Sequence, residues 1–221
     1  MERKNFLDKI THIIWDWNGT IIDDVELCVE IINELLSEQG LPQIGLKTYR
    51  NIFVFPVKEY YRQLGFDLNK ISFEQIGQKF IELYNQRRDS LQLQPGVTDL
   101  LERLQQAGKL QTLISARRQQ SLEQDVKLFG LERYFDNIIG LDDDLARGKE
   151  QLVKQYFDMY GLEPQKTLFI GDTDHDLEIA KAQGAHYFLV SNGHNSAWRL
   201  MARTPFVYAN LYLLTDFLFN A

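Results

Sequence analysis

The sequence has little with which to cross-link, anchor in a membrane or grip a polyanion. Its single cysteine, Cys28, excludes an internal disulfide, and its place among Val25, Ile31, Ile32 and Leu35 at helical spacing reads as core packing. No stretch approaches the run of about 18 apolar residues that a membrane helix requires. The opening Met1-Glu2-Arg3-Lys4-Asn5 leads into no apolar run of signal-peptide length, so the expectation is a cytoplasmic protein with no membrane partner. Basic residues stand alone or in pairs such as Arg87-Arg88 and Arg117-Arg118, in a chain of net charge −7, which argues against nucleic acid as a partner. His12, His175, His186 and His194 have neither companion cysteines nor zinc-site spacing. Low-complexity tracts and internal repeats are absent too.

What is present suits a soluble globular chain: 44% hydrophobic and 25% charged residues over 221 positions, enough for one α/β domain and a smaller second unit. Short apolar runs recur at Ile13-Ile14-Trp15, Leu110 to Ile114, Ile138-Ile139, Thr167 to Ile170 and Tyr187 to Val190. Helical patterns separate the later ones, at Val97 to Ala107, Gln119 to Phe129, Lys149 to Tyr160 and Leu177 to Gln183, each closed by a glycine (Gly108, Gly130, Gly161, Gly184) that reads as a helix stop. Such alternation predicts an α/β fold with a parallel sheet.

Between the first run and the second, roughly 90 residues intervene where one crossover helix of a βαβ unit would suffice. Two apolar stripes at helical spacing fill this stretch, one on Val25, Cys28, Ile31, Ile32, Leu35 and Leu36, the other on Phe73, Ile76, Phe80, Ile81, Leu83 and Tyr84. A mainly helical insertion over residues 21–94 is expected, leaving through the turn Leu93-Gln94-Pro95-Gly96, with 1–20 and 95–221 forming the sheet domain.

Four places carry chemistry. Ile13-Ile14-Trp15-Asp16-Trp17-Asn18-Gly19-Thr20 delivers a carboxylate at the end of a strand, where open α/β sheets bind ligands; alone, Asp then Gly is commonly just a turn. In Thr112-Leu113-Ile114-Ser115 a hydroxyl ends the next strand, although a lone serine there is ordinarily a cap or turn residue. Lys149, in Arg147-Gly148-Lys149-Glu150, opens a predicted helix, where a cation gains nothing from the helix dipole; it is either a surface lysine or a charge held for a ligand. Leu168-Phe169-Ile170-Gly171-Asp172-Thr173-Asp174-His175-Asp176 sets three acids behind an apolar strand, as a helix N-cap region or as hard oxygen ligands for Mg²⁺.

In their order and spacing these residues resemble the haloacid dehalogenase superfamily, whose members carry Asp-x-Asp-Gly-Thr, then Ser or Thr, then Lys, then Gly-Asp-x-x-x-Asp. The resemblance spans nearly the whole chain. It implies a Rossmann-like core, and it likens residues 21–94 to that family's helical C1 cap and Leu93-Gln94-Pro95-Gly96 to the return step of its phosphoglycolate-phosphatase-like branch. It implies a Mg²⁺-dependent phosphatase acting on a small phosphorylated molecule, with Asp16 as nucleophile and Asp16, Trp17, Asn18, Ser115, Ala116 and Lys149 around the phosphate. Asp16, Asp172, Asp176 and the main-chain carbonyl of Asn18 would hold the metal. Caps of this family select substrates, which makes Arg50, Phe55 and Lys58, with Arg117 beyond Ser115, candidate substrate contacts among cap aromatics such as Phe53, Tyr60 and Tyr61.

The chain departs from the pattern at Asn18, where the family's phosphatases carry the aspartate that protonates the leaving alcohol. General acid–base catalysis of that kind is worth roughly 10² to 10⁴ in rate, and an amide cannot supply it. A slow phosphatase, a substrate with a good leaving group such as an acyl phosphate, or recruitment of His175 would each accommodate the change. A phosphonoacetaldehyde-hydrolase-like enzyme using Lys58 as a Schiff base, or a phosphate-binding protein without catalysis, are alternatives. Haloacid dehalogenation would leave the acids after Gly171 without use. Trp15 is expected in the core and Trp17 at the cavity border, His194 near the site, Asp142-Asp143-Asp144 as a solvated loop, and Asp23 and Asp24 as the start of the first cap helix.

Overall fold

The computed structural model describes residues 6–143 and 148–220. Its strands are β1 (His12–Trp15), β2 (Ile22–Asp23), β3 (Gln92–Leu93), β4 (Leu110–Arg118), β5 (Asn137–Leu141), β6 (Thr167–Gly171), β7 (His186–Val190) and β8 (Val207–Tyr208). All four residues of β1 are buried, as a strand covered on both faces demands. Six strands form one sheet in the order β5-β4-β1-β6-β7-β8, and every pair in it is parallel. The chain builds outward from β1 through β4 to β5, then returns to the other side of β1 with β6, so the topology reverses at β1. Ligands of open α/β sheets bind at such a point, beyond the strands' carboxyl ends. Trp15 lies level with Leu113 of β4 and Ile170 of β6, which sends Asp16, Ser115 and Asp172 off one edge together.

The helices are α1 (Phe6–Lys9), α2 (Val25–Glu38), α3 (Leu46–Ile52), α4 (Val57–Gln63), α5 (Phe73–Arg87), α6 (Val97–Gln106), α7 (Gln119–Leu128), α8 (Glu150–Tyr160), α9 (Asp174–Gln183), α10 (Ala197–Met201) and α11 (Leu211–Phe219). Alternation along β1 divides them between two faces. Ile13 and Trp15 pack with Leu100, Leu101 and Leu104 of α6 and Leu211 and Leu214 of α11, whereas Ile14 meets Val153 and Phe157 of α8 and Ile179 of α9. All five expected strands are present. Helix α8 begins one residue late, with Lys149 at its N-cap, and α9 begins three residues early. The early start has a local cause: Thr173 and Asp176 form a reciprocal capping box that closes the first turn.

Residues 22–93 leave and rejoin the sheet region through β2 and β3, which pair antiparallel, Ile22 opposite Leu93. Between them lie α2 to α5. Cys28 is buried in the α2 stripe as expected, and ion pairs of Arg87 with Glu34 (2.5 Å) and Lys79 with Glu38 (2.5 Å) join α2 to α5 on their solvent side. The helical unit is latched to α10 and the loop before it. Arg199 Nη1 donates to the carbonyls of Phe53 (2.7 Å) and Asn51 (3.1 Å), Arg50 Nη2 to that of Asn192 (2.7 Å), and Ser196 Oγ to Asn51 Oδ1 (2.8 Å). Among the described residues, no helix is long and apolar enough to cross a membrane.

Candidate active site

Asp16 leaves β1 at the reversal point, and its carboxylate receives Lys149 Nζ in a short ion pair. The same ammonium donates to the Ile114 carbonyl at 3.0 Å and lies 2.9 Å from Asp176 Oδ1. Asp172 accepts from Thr20 Oγ1 (2.9 Å) and from the His194 backbone N–H (2.5 Å). Carboxylate oxygens of Asp16, Asp172 and Asp176 lie within 4.8 Å of one another. Gly19, at φ +74°, makes the turn between them possible, because a Cβ there would overlap the Asp172 carboxylate and the His194 ring.

Three acids and one lysine in a buried place leave a deficit of positive charge. Burial, which Lys149 only partly offsets while Asp176 adds to it, raises Asp16 to about 6. Asp172 is driven well above the usual carboxylate range by burial and then by Asp16 and Asp176, against the pull of His194. Asp176 falls below that range although burial opposes it, since Lys149 and the Thr173 hydroxyl stabilise its charge. Lys149 is raised despite burial by the same two acids, Asp16 and Asp176. A hard divalent cation fits this place: the donors are all oxygens, they converge, and their mutual repulsion is what such an ion relieves.

The residues singled out in the sequence divide cleanly. Asp16, Asn18, Ser115, Ala116, Arg117, Lys149, Asp176 and Phe55 line one cavity of about 140 Å³, with Asp172 buried behind Gly19. His175 and His194 line it as well, and Phe55 stacks on the His175 ring at 4.6 Å. Burial lowers the His175 pKa, so at neutral pH it is a poor proton donor. Trp17 is not at the cavity border but fully buried, its ring 6.2 Å from Phe129; what it offers Asp16 is its backbone N–H. Arg50 does not line the cavity, because its guanidinium is engaged by the Asn192 carbonyl. Lys58 is exposed on α4 and outside the lining, so the Schiff-base reading has no cap lysine in the cavity; among the described lining residues the only lysine is Lys149. Asp142 and Asp143 are exposed and belong to neither acid cluster, whereas Asp144 and Arg147 lie outside the described residues.

Sequence reasoning missed Asp24. It precedes α2 but makes no side-chain cap; its buried carboxylate turns back on the loop after β1 instead. It accepts from Asn18 Nδ2 (2.6 Å), the Gly19 N–H (2.9 Å) and Tyr84 Oη (3.0 Å), and lies 3.2 Å from His194 Nε2. Asn18 Nδ2 also donates to Tyr84 Oη at 3.1 Å, so the amide that stands where the family has an acid is held rigidly. Burial works to raise Asp24, yet His194, Asn18 and Tyr84 together bring it below the usual range. His194, which burial alone would lower, is raised to about 9 by Asp24 and Asp172. The available signal was an acid directly after the loop; the N-cap explanation concealed it.

Comparisons with known proteins bear on the family and the fold. Residues 13–190 match the family described as haloacid dehalogenase-like hydrolase. The phosphoglycolate phosphatase of Pseudomonas putida is 26% identical over 201 residues, covering 87% of this chain and 74% of that protein. That of Synechococcus elongatus is 25% identical over 193 residues, covering 87% and 89%. Among solved structures, a haloacid dehalogenase-like family hydrolase from Streptococcus pneumoniae superposes with a TM-score of 0.80 at 21% identity, over 95% of this chain and 99% of that one.

Proposed function

The chain belongs to the haloacid dehalogenase-like hydrolases, as a phosphatase of that family, and on this premise we propose that it moves a phosphoryl group from a small phosphorylated molecule first to Asp16 and then to water. The observation that carries the reading is the convergence of Asp16, Lys149, Asp172 and Asp176 at one edge of the sheet, beside a cavity lined by Ser115 and by residues of α2 to α5.

Asp16 Oδ attacks phosphorus. Lys149, held by the Ile114 carbonyl, offsets negative charge on both the nucleophile and the transferring group, where preorganised charge has most effect. The Ser115 hydroxyl, buried at the cavity wall, and the main chain at Trp17 and Ala116 orient the phosphoryl oxygens. Asp16, Asp172 and the Asn18 carbonyl would hold Mg²⁺, with Asp176 supporting the set; the ion supplies further charge stabilisation to the phosphoryl group. Cap residues such as Phe55, stacked on His175, exclude bulk water until the leaving group departs.

Release of inorganic phosphate from a panel of small phosphate esters and acyl phosphates tests this reading. Turnover is expected with Mg²⁺, abolished by EDTA and by Asp16→Asn. Turnover that survives Asp16→Asn contradicts a covalent role for Asp16, and no turnover of any member favours a phosphate-binding protein.

A further inference from the structure

The half of the cavity that faces the cap is aromatic, and no charge on it is left unpaired. Phe53, Phe55, Tyr60, Phe80 and Tyr84 form its wall, with Phe53 5.3 Å from Tyr60 and 5.4 Å from Phe55, ring centre to ring centre. Every described basic group in the lining with positive charge already faces an acid. Arg117 is ion-paired with the buried Asp125, which also takes Arg88 at 2.6 Å; its guanidinium lies 4.9 Å above the Tyr84 ring. His194 faces Asp24 and Lys149 is shared by Asp16 and Asp176. A second anionic group on a substrate would lose its water without gaining a cation, and would meet Asp24, so its charge would be buried uncompensated.

Two further observations narrow the leaving group. The cavity's volume of about 140 Å³ is close to the roughly 150 Å³ that accepts a benzene ring in an apolar protein interior. Asn18 has no proton to give, and its amide hydrogens are already directed to Asp24 and Tyr84. The departing oxygen must therefore be stable as an anion.

Resting on the phosphatase reading above, we propose that this site is built for phosphates of neutral, single-ring, phenol-like hydroxyl compounds, and that it disfavours carboxylate-bearing phosphates such as phosphoglycolate. An Asp16 oxygen bonds to phosphorus as the bond from phosphorus to the aryl oxygen breaks, and that electron pair leaves on the phenolate, which takes its proton from solvent. Water then attacks the phosphorus of the aspartyl phosphate, releasing orthophosphate and restoring the Asp16 carboxylate. The Tyr60 hydroxyl is buried on the wall without a partner among the described residues, so it can meet one neutral polar atom of the ring.

The test compares kcat/KM of the full chain with Mg²⁺ for phenyl phosphate, 4-carboxyphenyl phosphate, phosphoglycolate and acetyl phosphate, beside Asp16→Asn. Intrinsic reactivity favours the carboxylated aryl ester, whose phenolate is the better leaving group. The proposal expects the reverse, phenyl phosphate ahead by tenfold or more, with phosphoglycolate lower still. Phe80→Arg, which puts a cation on the half-buried wall, is expected to narrow the gap by raising turnover of the carboxylated ester. Equal or inverted preference in the wild type overturns the proposal. Cleavage of acetyl phosphate that depends on Asp16, with none of phenyl phosphate, overturns it while the phosphatase reading stands; no cleavage of any of the four ends both.

Discussion

At the scale of single residues the account turns on Asn18 and Asp24. Asp16, Lys149 and the acids after β6 were legible in the sequence because each sits at a strand or helix end, where a local pattern fixes direction. Asp24 was not, because its meaning lies in three bonds that close only when the loop folds over α2 and Tyr84 arrives from α5. Asn18→Asp places a second carboxylate beside Asp24, where one of the two must hold a proton, and so restores an acid next to the leaving oxygen. The gain in kcat is expected to be about 10²-fold or more on alkyl phosphate esters and small on acetyl phosphate, whose leaving group needs no proton. Equal gains on both would mean that proton transfer is not what Asn18 withholds. Asp24→Ala strands the Asn18 amide, the Gly19 N–H and the Tyr84 hydroxyl, and is expected to cost about 2–4 kcal/mol of stability, read as a lowered urea midpoint.

At the scale of elements, five of the sheet's six strands and four of the helices that cover it were readable from apolar runs and the glycines that end them; Gly161 and Gly184 do cap their helices in the left-handed region. Short elements were not. Strand β8 is two residues long and α10 five, too brief for any period to show, and α9 was placed late because its first turn rests on a capping box rather than on apolar spacing. The sequence located the helical insertion but not its latch, since Arg199 and Arg50 bond to carbonyls that any residue presents. Arg199→Ala removes charge-assisted bonds to Phe53 and Asn51 across the latch. Each such bond is worth about 1.5–3 kcal/mol, so KM is expected to rise about tenfold or more while kcat changes less. A variant with unchanged KM would show that these contacts do not govern closure over substrate.

At the scale of the whole molecule, a chain of net charge −7 concentrates three of its acids in one buried place and balances them with Lys149, while His194 faces one of them, Asp172, and the neighbouring Asp24. His194 is raised above its unfolded value to about 9 by Asp24 and Asp172, with Asp16 adding to it and Tyr49 sharing its Nδ1 at 2.8 Å. A histidine so raised contributes stability that is fully present below its unfolded pKa of about 6.5 and is lost as pH climbs through the folded value. The metal-free protein is thus expected to lose stability between pH 6.5 and 9, and His194→Gln to lose less over that window, in urea unfolding followed by circular dichroism. A pH profile unaltered by His194→Gln would contradict the pairing.

The central claim is that carboxylates from β1, β6 and α9 converge to share one divalent ion beside the nucleophile. Calorimetric titration of the metal-free chain with Mg²⁺, set beside Asp172→Asn and Asp16→Asn, tests it most directly, because binding is read without turnover. The account expects one site in the wild type, greatly weakened in both variants, and a wild-type gain of about 2.7 kcal/mol in stability at 100 times the dissociation constant. Binding that is absent from the wild type, or that both variants retain at full strength, would contradict it.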